Sequence, residues 1–467
     1  MSAQRSIQLA VVALLATVLL VLPTHGHVPA RAGVRPSRPD IIVILTDDER
    51  RGTLRWMPHV WHEVVKKGTR FSNGMVPTSV CCPSRASLLT GLFAHSTKVW
   101  SNNAGWRTFQ EAGMEQRTVA VWLRRAGYRT GLVGKYLNEF GGSAKPPGWD
   151  IWHSFVGSNG SYYDYQLLDT SGSLTSYGSA PSDYSTDVLR RYAVRFLRST
   201  PADRPLFLYF APYAPHGPST PAPRDAFLPS PLAPFSRPDF NESDVSDKPS
   251  WIRSLPPVSR SSIDAHRANQ YRSLQAVDRA VHTIIQAQRA RSRLRNTLLI
   301  VLSDNGDMWG EHRIVGKYVP YDSATRVPLA IRWTKRVPAG ATDRRIALNL
   351  DIPVTIAAAA RASTGPVEGR DLLGNRRRRG FVLEAAAARS PGGNGTNVTR
   401  PAYCGWRSLR FLYVRYANGR QELYDYVRDP YELTDRHAAR SLVDVKRRLR
   451  RKTRLACDPP PPGYSWP

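Results

Sequence analysis

Asp40-Ile-Ile-Val-Ile-Leu-Thr-Asp-Asp48 decides how the chain folds. Five apolar residues in a row, four of them β-branched, predict a strand buried on both faces, as in a parallel sheet, with two carboxylates at its carboxyl end. Three more runs repeat the pattern: Tyr128 to Val133, Leu206 to Phe210 and Thr297 to Leu302. Polar residues of chemical use follow each one: Lys135, then His216, then Asp304 with Asn305. Helical patterns separate the strands. Between Ile263 and Ala290, Tyr271, Leu274, Val277, Val281 and Ile284 recur at three- and four-residue spacing and leave Arg272, Asp278 and Arg279 outward. Shorter helices are expected at Val60 to Lys67, closed by Gly68, and at Gln116 to Arg125, closed by Gly127. Alternating helix and strand gives an α/β domain with a mostly parallel sheet.

Proline and serine dominate Pro212 to Pro257, which suits a surface excursion over one end of that sheet. After Asp371 the pattern changes to a basic run, a Gly/Asn-rich loop at Pro391 to Thr399, and two strand-like runs, Phe411 to Arg415 and Glu422 to Tyr426, joined across Asn418-Gly419. The expected organisation is a main domain over residues 38–371 and a smaller C-terminal α+β subdomain over 372–467 containing an antiparallel hairpin. Four cysteines are too few for a disulfide scaffold, and Cys81, Cys82, Cys404 and Cys457 match no paired metal-finger spacing. Cys404 and Cys457 are either a disulfide within the C-terminal part or two buried thiols.

At 467 residues, with 41% hydrophobic and 22% charged, the composition is that of an ordinary globular protein and excludes collagen-like, coiled-coil and largely disordered readings. A net charge of +29 would attract nucleic acid, anionic lipid, or a sulfated or phosphorylated glycan. The N-terminus narrows that choice. Arg5 precedes an apolar run from Leu9 to Leu22, too short to span a bilayer comfortably, and Ala30-Arg31-Ala32 offers a small-x-small cleavage site. Residues 1–32 therefore read as a signal peptide, and the mature chain as secreted, with no stable membrane span. Outside a cell a basic protein meets anionic glycans first. The densest basic runs, Arg376 to Arg379 and Lys446 to Arg454, lack aromatic interleaving, so a solvated basic face is expected there and no nucleic acid partner. N-x-S/T sequons begin at Asn159, Asn241, Asn394 and Asn397.

In open α/β sheets, ligands bind in the crevice outside the carboxyl ends of the strands, so the polar tips can converge across hundreds of positions. Taken singly, an Asp after a strand is more often a cap or turn residue, and a Lys is more often solvated. Together they point to a site. Asp47, Asp48, Asp304 and Asn305 form an all-oxygen set suited to a hard cation, and two adjacent carboxylates repel unless a cation neutralises them. Calcium tolerates irregular geometry better than magnesium. In Cys81-Cys82-Pro83-Ser84-Arg85-Ala86-Ser87-Leu88-Leu89-Thr90-Gly91 a loop opens a short helix. It places Cys81 near the positive helix end and Arg85 one turn on. On the residues alone, a buried cysteine pair beside a Pro-initiated helix is an equal reading.

Cys81 through Gly91 matches C-x-P-S-R-x-x-x-x-T-G, and in this the chain resembles the type I, formylglycine-dependent sulfatases. The resemblance implies an alkaline-phosphatase-like fold and hydrolysis of sulfate monoesters. It implies that a formylglycine-generating enzyme oxidises Cys81 during export, that the hydrated aldehyde is the nucleophile, and that Cys82 stays a thiol. Asp47, Asp48, Asp304 and Asn305, with the modified Cys81, would hold one calcium ion. Arg85, Lys135, His216 and Lys317 would be catalytic, with His216 as general acid, and Lys135, His216, His312 and Lys317 would contact substrate. Gly127 to Lys135, Pro215-His216, Ser303 to Gly306 and Gly310 to His312 look like further blocks of the family. Gly134 to Asn138, Asn241 to Lys248 and Cys404 to Trp406 look nearest its N-acetylglucosamine-6-sulfatase and heparan-type branch.

One departure stands out. Many members carry a histidine two positions after the lysine matching Lys135, and this chain has Leu137; Asn138 and His153 are the nearby alternatives. The expected activity is hydrolysis of an aryl sulfate or of a sulfated sugar or glycosaminoglycan. The competing readings are a phosphonate or phosphodiester hydrolase of the same superfamily and a catalytically inactive polyanion-binding protein.

Overall fold

Asp40–Thr46 lies between Leu206–Ala211 and Thr297–Ser303 and runs parallel to both in the computed structural model of the chain. The structure describes residues 38–157, 160–391 and 397–466; the expected signal peptide, the Asn159 and Asn394 sequons and the Asn397 side chain lie outside what is described. Arg129–Gly134 pairs parallel with the far side of Leu206–Ala211, and Ile151–Phe155 pairs parallel with Arg129–Gly134 in turn. Five adjacent strands thus share one direction. Antiparallel neighbours, Leu329–Arg332 on one flank and Tyr165–Asp169 on the other, continue a mixed, mostly parallel sheet of ten strands.

The unbroken apolar run in the first strand has a physical reason. Ile41, Val43 and Leu45 join the apolar cluster on one face, and Ile42 and Ile44 join the cluster on the other. Helices Val119–Arg125 and Asp351–Ala360 cover the first face, and Ser185–Ser199 and Arg260–Ala290 cover the second. Every side chain of that strand is dry, and burying each such Ile or Leu contributes about 1.5–3 kcal/mol.

The long helix Arg260–Ala290 starts at Ser259, whose hydroxyl accepts from the amide of Ser262. Leu274, Val277, Val281 and Ile284 face the sheet as their spacing predicts. Asp278 does not point outward. It is buried, and its carboxylate accepts from the amides of His59 (3.1 Å) and Val60 (2.8 Å). That bond sets the local structure at Val60 to Lys67, where the expected helix is a short turn, Pro58–Val60, followed by the wider turn Trp61–Val65. Pro212 to Pro257 bears short helical turns at Pro223–Asp225 and Ser250–Arg253, and Asn241 donates its amide to Gly310 at 2.9 Å. The excursion therefore docks on the segment that follows the Thr297–Ser303 tip.

A second, antiparallel sheet is ordered Phe381–Ala385, Tyr403–Arg407, Phe411–Tyr416, Gln421–Asp425. The last two strands form the expected hairpin, with Arg415 opposite Gln421. Cys404 and Cys457 are disulfide-bonded, tying this sheet to the end of helix Val443–Ala456, which carries the Lys446 to Arg454 run. Met75, Ile346 and Leu348 of the large sheet share one apolar cluster with Phe381, Leu383, Leu412 and Val414 of the small one.

Candidate active site

Neighbouring strand tips are stitched together at their carboxyl ends. Asp304 donates its amide to the carbonyl of Thr46 (3.2 Å), Glu49 to the hydroxyl of Ser303 (2.8 Å), and Asp48 to Oδ1 of Asp304 (3.1 Å). Asp48 adopts φ 63°, which a short polar side chain tolerates better than most. Gly134 closes its strand at φ 118°, where a Cβ would lie 2.0 Å from the carbonyl oxygen of Ala211. Only glycine allows that close approach, and Lys135 then donates its amide to the same oxygen at 2.8 Å as its side chain turns toward the tips. His216 comes from the turn after Leu206–Ala211, its ring stacked 4.6 Å from Tyr213.

Helix Cys81–Thr90 is wholly buried and begins with Cys81 among these residues. The Cys81 Sγ lies 3.5 Å from Asp47 Oδ1 and 4.0 Å from Asp48 Oδ1, and Lys317 Nζ donates to it at 2.7 Å. One turn on, Arg85 donates from Nε to Asp304 Oδ2 (2.7 Å) and from Nη1 to the carbonyl of Lys135 (2.9 Å), with Nη2 3.4 Å from Asp47. Lys135 Nζ lies 2.5 Å from Asp47 Oδ2, and Lys317 also pairs with Asp48. His216 Nε2 is 3.5 Å from Asp48 Oδ2, and its Nδ1 lies 2.7 Å from the carbonyl of Gly217. A carbonyl only accepts, so Nδ1 carries a proton and Nε2 faces the cluster.

Burial works against the charges of Asp47 and Asp48, yet Lys135, Arg85 and His216 for the first, and Lys317 and His216 for the second, hold both below the usual carboxylate range. Lys135 and Lys317 resist burial in the same way: Asp47 raises the first and Asp48 the second, so both stay charged. Cys81 behaves oppositely. Burial pushes its thiol up to about 12 despite Lys135 and Lys317. The donor set fits a hard cation. Its oxygen donors are the carboxylates of Asp47 and Asp48, within 4.8 Å of each other and of donor atoms of Cys81 and His216, and the buried Oδ1 of Asn305, which has no hydrogen-bond partner while its Nδ2 donates to Asp48 at 2.6 Å.

The structure thus brings together Asp47, Asp48, Cys81, Arg85, Lys135, His216, Asp304, Asn305 and Lys317. His312 is placed differently. It is 0% exposed, its Nδ1 2.6 Å from Glu242 and its ring 4.8 Å from that of Tyr321. Leu137 packs in the core, and His153 stacks 3.7 Å from Tyr192, where burial pulls its pKa down to about 4. Asn138 is buried, its carbonyl accepting from the amide of Trp106. Three neighbours carried no sequence signal. Asn102 Oδ1 accepts from the amide of Cys82 (2.9 Å), Asn102 Nδ2 donates to the hydroxyl of Tyr318 (3.1 Å), and Tyr213 backs His216.

The sulfatase family model matches residues 39–362, which contain every residue of this cluster. The chain belongs to the sulfatase family. Among relatives of this sulfatase, a putative extracellular sulfatase Sulf-1 homolog from Caenorhabditis elegans is 33% identical over 72% of the chain and 49% of its own length. Human N-acetylglucosamine-6-sulfatase is 31% identical over 73% of the chain and 64% of its own length. The sulfatase therefore spans half to two thirds of these relatives, which place it near the N-acetylglucosamine-6-sulfatase branch. Among solved structures, a protein in complex with its substrate D-glucosamine-2-N,6-O-disulfate superposes with a TM-score of 0.73 at 20% identity, covering 90% of this chain and 98% of that one. The fold is the alkaline-phosphatase-like one expected for the family.

Proposed function

We propose that this sulfatase hydrolyses sulfate monoesters of a sulfated sugar, in the manner of an N-acetylglucosamine-6-sulfatase. In this reading the chain is exported after loss of residues 1–32, residues 38–371 are the catalytic domain, and a formylglycine-generating enzyme modifies Cys81. The observation that carries the proposal is the convergence of Cys81 with three carboxylates and three cations from separate strand tips and loops. Burial pushes the Cys81 thiol up to about 12, and a thiol held protonated is a poor nucleophile. Formylglycine would supply, as its hydrate, an oxygen nucleophile. Calcium, held by Asp47, Asp48, Asp304, Asn305 and position 81, would supply positive charge to the sulfate oxygens.

The chain's own residues divide the remaining work. Asp47, Asp48 and Asp304 balance Arg85, Lys135 and Lys317 charge for charge, so a bound divalent cation leaves two positive charges to meet an anionic ester. Lys135 and Lys317 stay protonated and hold sulfate oxygens by hydrogen bonds; Arg85, fixed by Asp304, orients the cluster. In its imidazolium form His216 delivers the Nε2 proton to the leaving alcohol and keeps its Nδ1 proton on the Gly217 carbonyl, with Tyr213 stacked against the ring. The basic surface concentrates a polyanionic substrate.

Peptide mass spectrometry across Cys81, combined with turnover of an aryl sulfate and the matching aryl phosphate, tests the proposal. The expected result is an aldehyde at position 81 and preference for sulfate. An unmodified thiol in fully active protein, a preference for phosphate, or sulfated-glycan binding without turnover by correctly modified protein would each overturn it.

A further inference from the structure

Arg400 ends the strand Asn397–Arg400 and is 3% exposed. Its Nη1 donates to the carbonyl of Lys317, its Nε has no hydrogen-bond partner, and among the described residues it makes no ion pair. Most other buried arginines are ion-paired, Arg50 with Glu311, Arg85 with Asp304, Arg332 with Glu63 and Arg407 with Asp322, whereas Arg415 resembles Arg400 in resting against two rings, Tyr464 and Trp466, with no ion pair among the described residues. A guanidinium taken out of water without a counter-charge costs stability, and an anion brought to it from outside would offset that cost. Burial draws the pKa of Arg400 down to about 10, which leaves it charged at neutral pH.

Its surroundings point to the source of that anion. The guanidinium carbon lies 6.0 Å from the ring centre of Tyr318 and 5.8 Å from that of Trp251. Tyr318 is partly exposed, follows Lys317 directly, and accepts at its hydroxyl from Asn102, which in turn holds the amide of Cys82. Arg400 thus stands one side chain outside the Cys81 cluster, on its Lys317 side. Lys317 is already engaged by Asp48 and Cys81.

We propose that Arg400, with Tyr318 and Trp251, forms a specificity subsite for a second anionic group of the substrate, a sulfamate or carboxylate near the scissile sulfate ester. The subsite rests on the sulfated-sugar reading above. A planar fork of donors suits either anion, and substrate binding would provide the charge partner that the described residues do not supply.

Calorimetric binding to the full chain carrying Cys81→Ala, which removes turnover from the measurement, tests this with three ligands. They are N-acetylglucosamine 6-sulfate, glucosamine-2-N,6-O-disulfate, and 6-sulfated N-acetylglucosamine joined to a uronic acid. With Arg400 present, at least one added anion is expected to tighten binding about tenfold, and which one does so separates sulfamate from carboxylate. Arg400→Met should cut that gain to less than about threefold while binding of the monosulfate is unchanged, and Arg400→Lys should keep part of it. Removing an unpaired buried charge should leave Tm unchanged or raise it. A gain that survives Arg400→Met, or no gain with Arg400 present, overturns the subsite alone. So does a Tm drop above about 5 °C with all three ligands weakened, which assigns Arg400 to structure. Failure of every ligand to bind overturns the sulfated-sugar reading, and the subsite with it.

Discussion

Lys317 Nζ reaches Cys81 Sγ at 2.7 Å across 236 positions of sequence, and the same ammonium pairs with Asp48. One lysine thereby links the start of a buried helix to the tip of the first strand. It is also the chief charge that keeps Asp48 ionised against burial. Lys317→Met should lower kcat on an aryl sulfate by about 10²–10³-fold, the usual loss when a preorganised charge is removed from a dry site. Steady-state kinetics on correctly modified protein checks this; a change confined to KM would assign Lys317 to substrate binding alone.

His216 is proposed to protonate the leaving alcohol, so its loss should depend on how much help that group needs. His216→Asn is expected to cost about 10²–10⁴-fold on alkyl or sugar sulfates and far less on nitrophenyl sulfate, whose leaving group is stable as an anion. Comparing both substrates against the wild type is decisive: equal losses would remove the general-acid role.

His95 gives a pH signature outside the catalytic cluster. Burial opposes its charging, but bonds to Glu368 and to Glu384 (2.8 Å) outweigh it and push its pKa up to about 9. A histidine raised in the folded state contributes stability that is fully present below its unfolded value near 6.5 and is lost as pH rises through 9. Thermal melts should show a decline between pH 6.5 and 9.5 worth about 1–3 kcal/mol, and His95→Gln should flatten it. An unchanged slope in the variant would place the decline elsewhere.

Helix Val443–Ala456 exposes Arg447, Arg450, Arg451 and Arg454, and Asp444 offers a carboxylate to Arg447. Its apolar side is spent on Leu449, packed against Phe411, Tyr413 and Leu423. If this face captures substrate, Arg447→Glu, Arg451→Glu and Arg454→Glu together should raise KM for a sulfated polysaccharide about tenfold at low salt, with the difference vanishing near 1 M salt. Activity on a small aryl sulfate should not move. Equal effects on both substrates would point to a damaged fold.

The readable part of this protein was the part built from dry strands. Asp40 to Leu45 and its three counterparts announce themselves because both faces of each must be apolar, and their polar tips follow for the same topological reason. Thr69–Met75 and Ala341–Leu348 could not be read this way: Thr-Arg-Phe-Ser-Asn-Gly-Met mixes polar and apolar residues without a period, and the partner strand is interrupted by a register shift between Asp343 and Ile346. At the site, motifs mark Lys317 and His216, whereas the contacts of Asn102 and Tyr318, and the role proposed for Arg400, rest on pairings that appear only when the chain closes. His312, another motif residue, sets its Nδ1 against Glu242, a pairing that spacing alone does not announce. Asp278 reads as solvent-facing by helical phase because periodicity cannot foresee two orphan amides arriving from His59 and Val60.

Position 81 is 0% exposed, walled in by its own helix and by the strand tips above it. Any catalyst that rewrites this side chain must therefore reach it while the polypeptide is still open. If Cys81 is converted as proposed, maturation would be a single opportunity during synthesis, and a molecule that closed with its thiol intact would have no route to repair short of unfolding. On that proposal, preparations of this protein would divide into two populations with the same shape and unequal competence, in a ratio set by the producing cell.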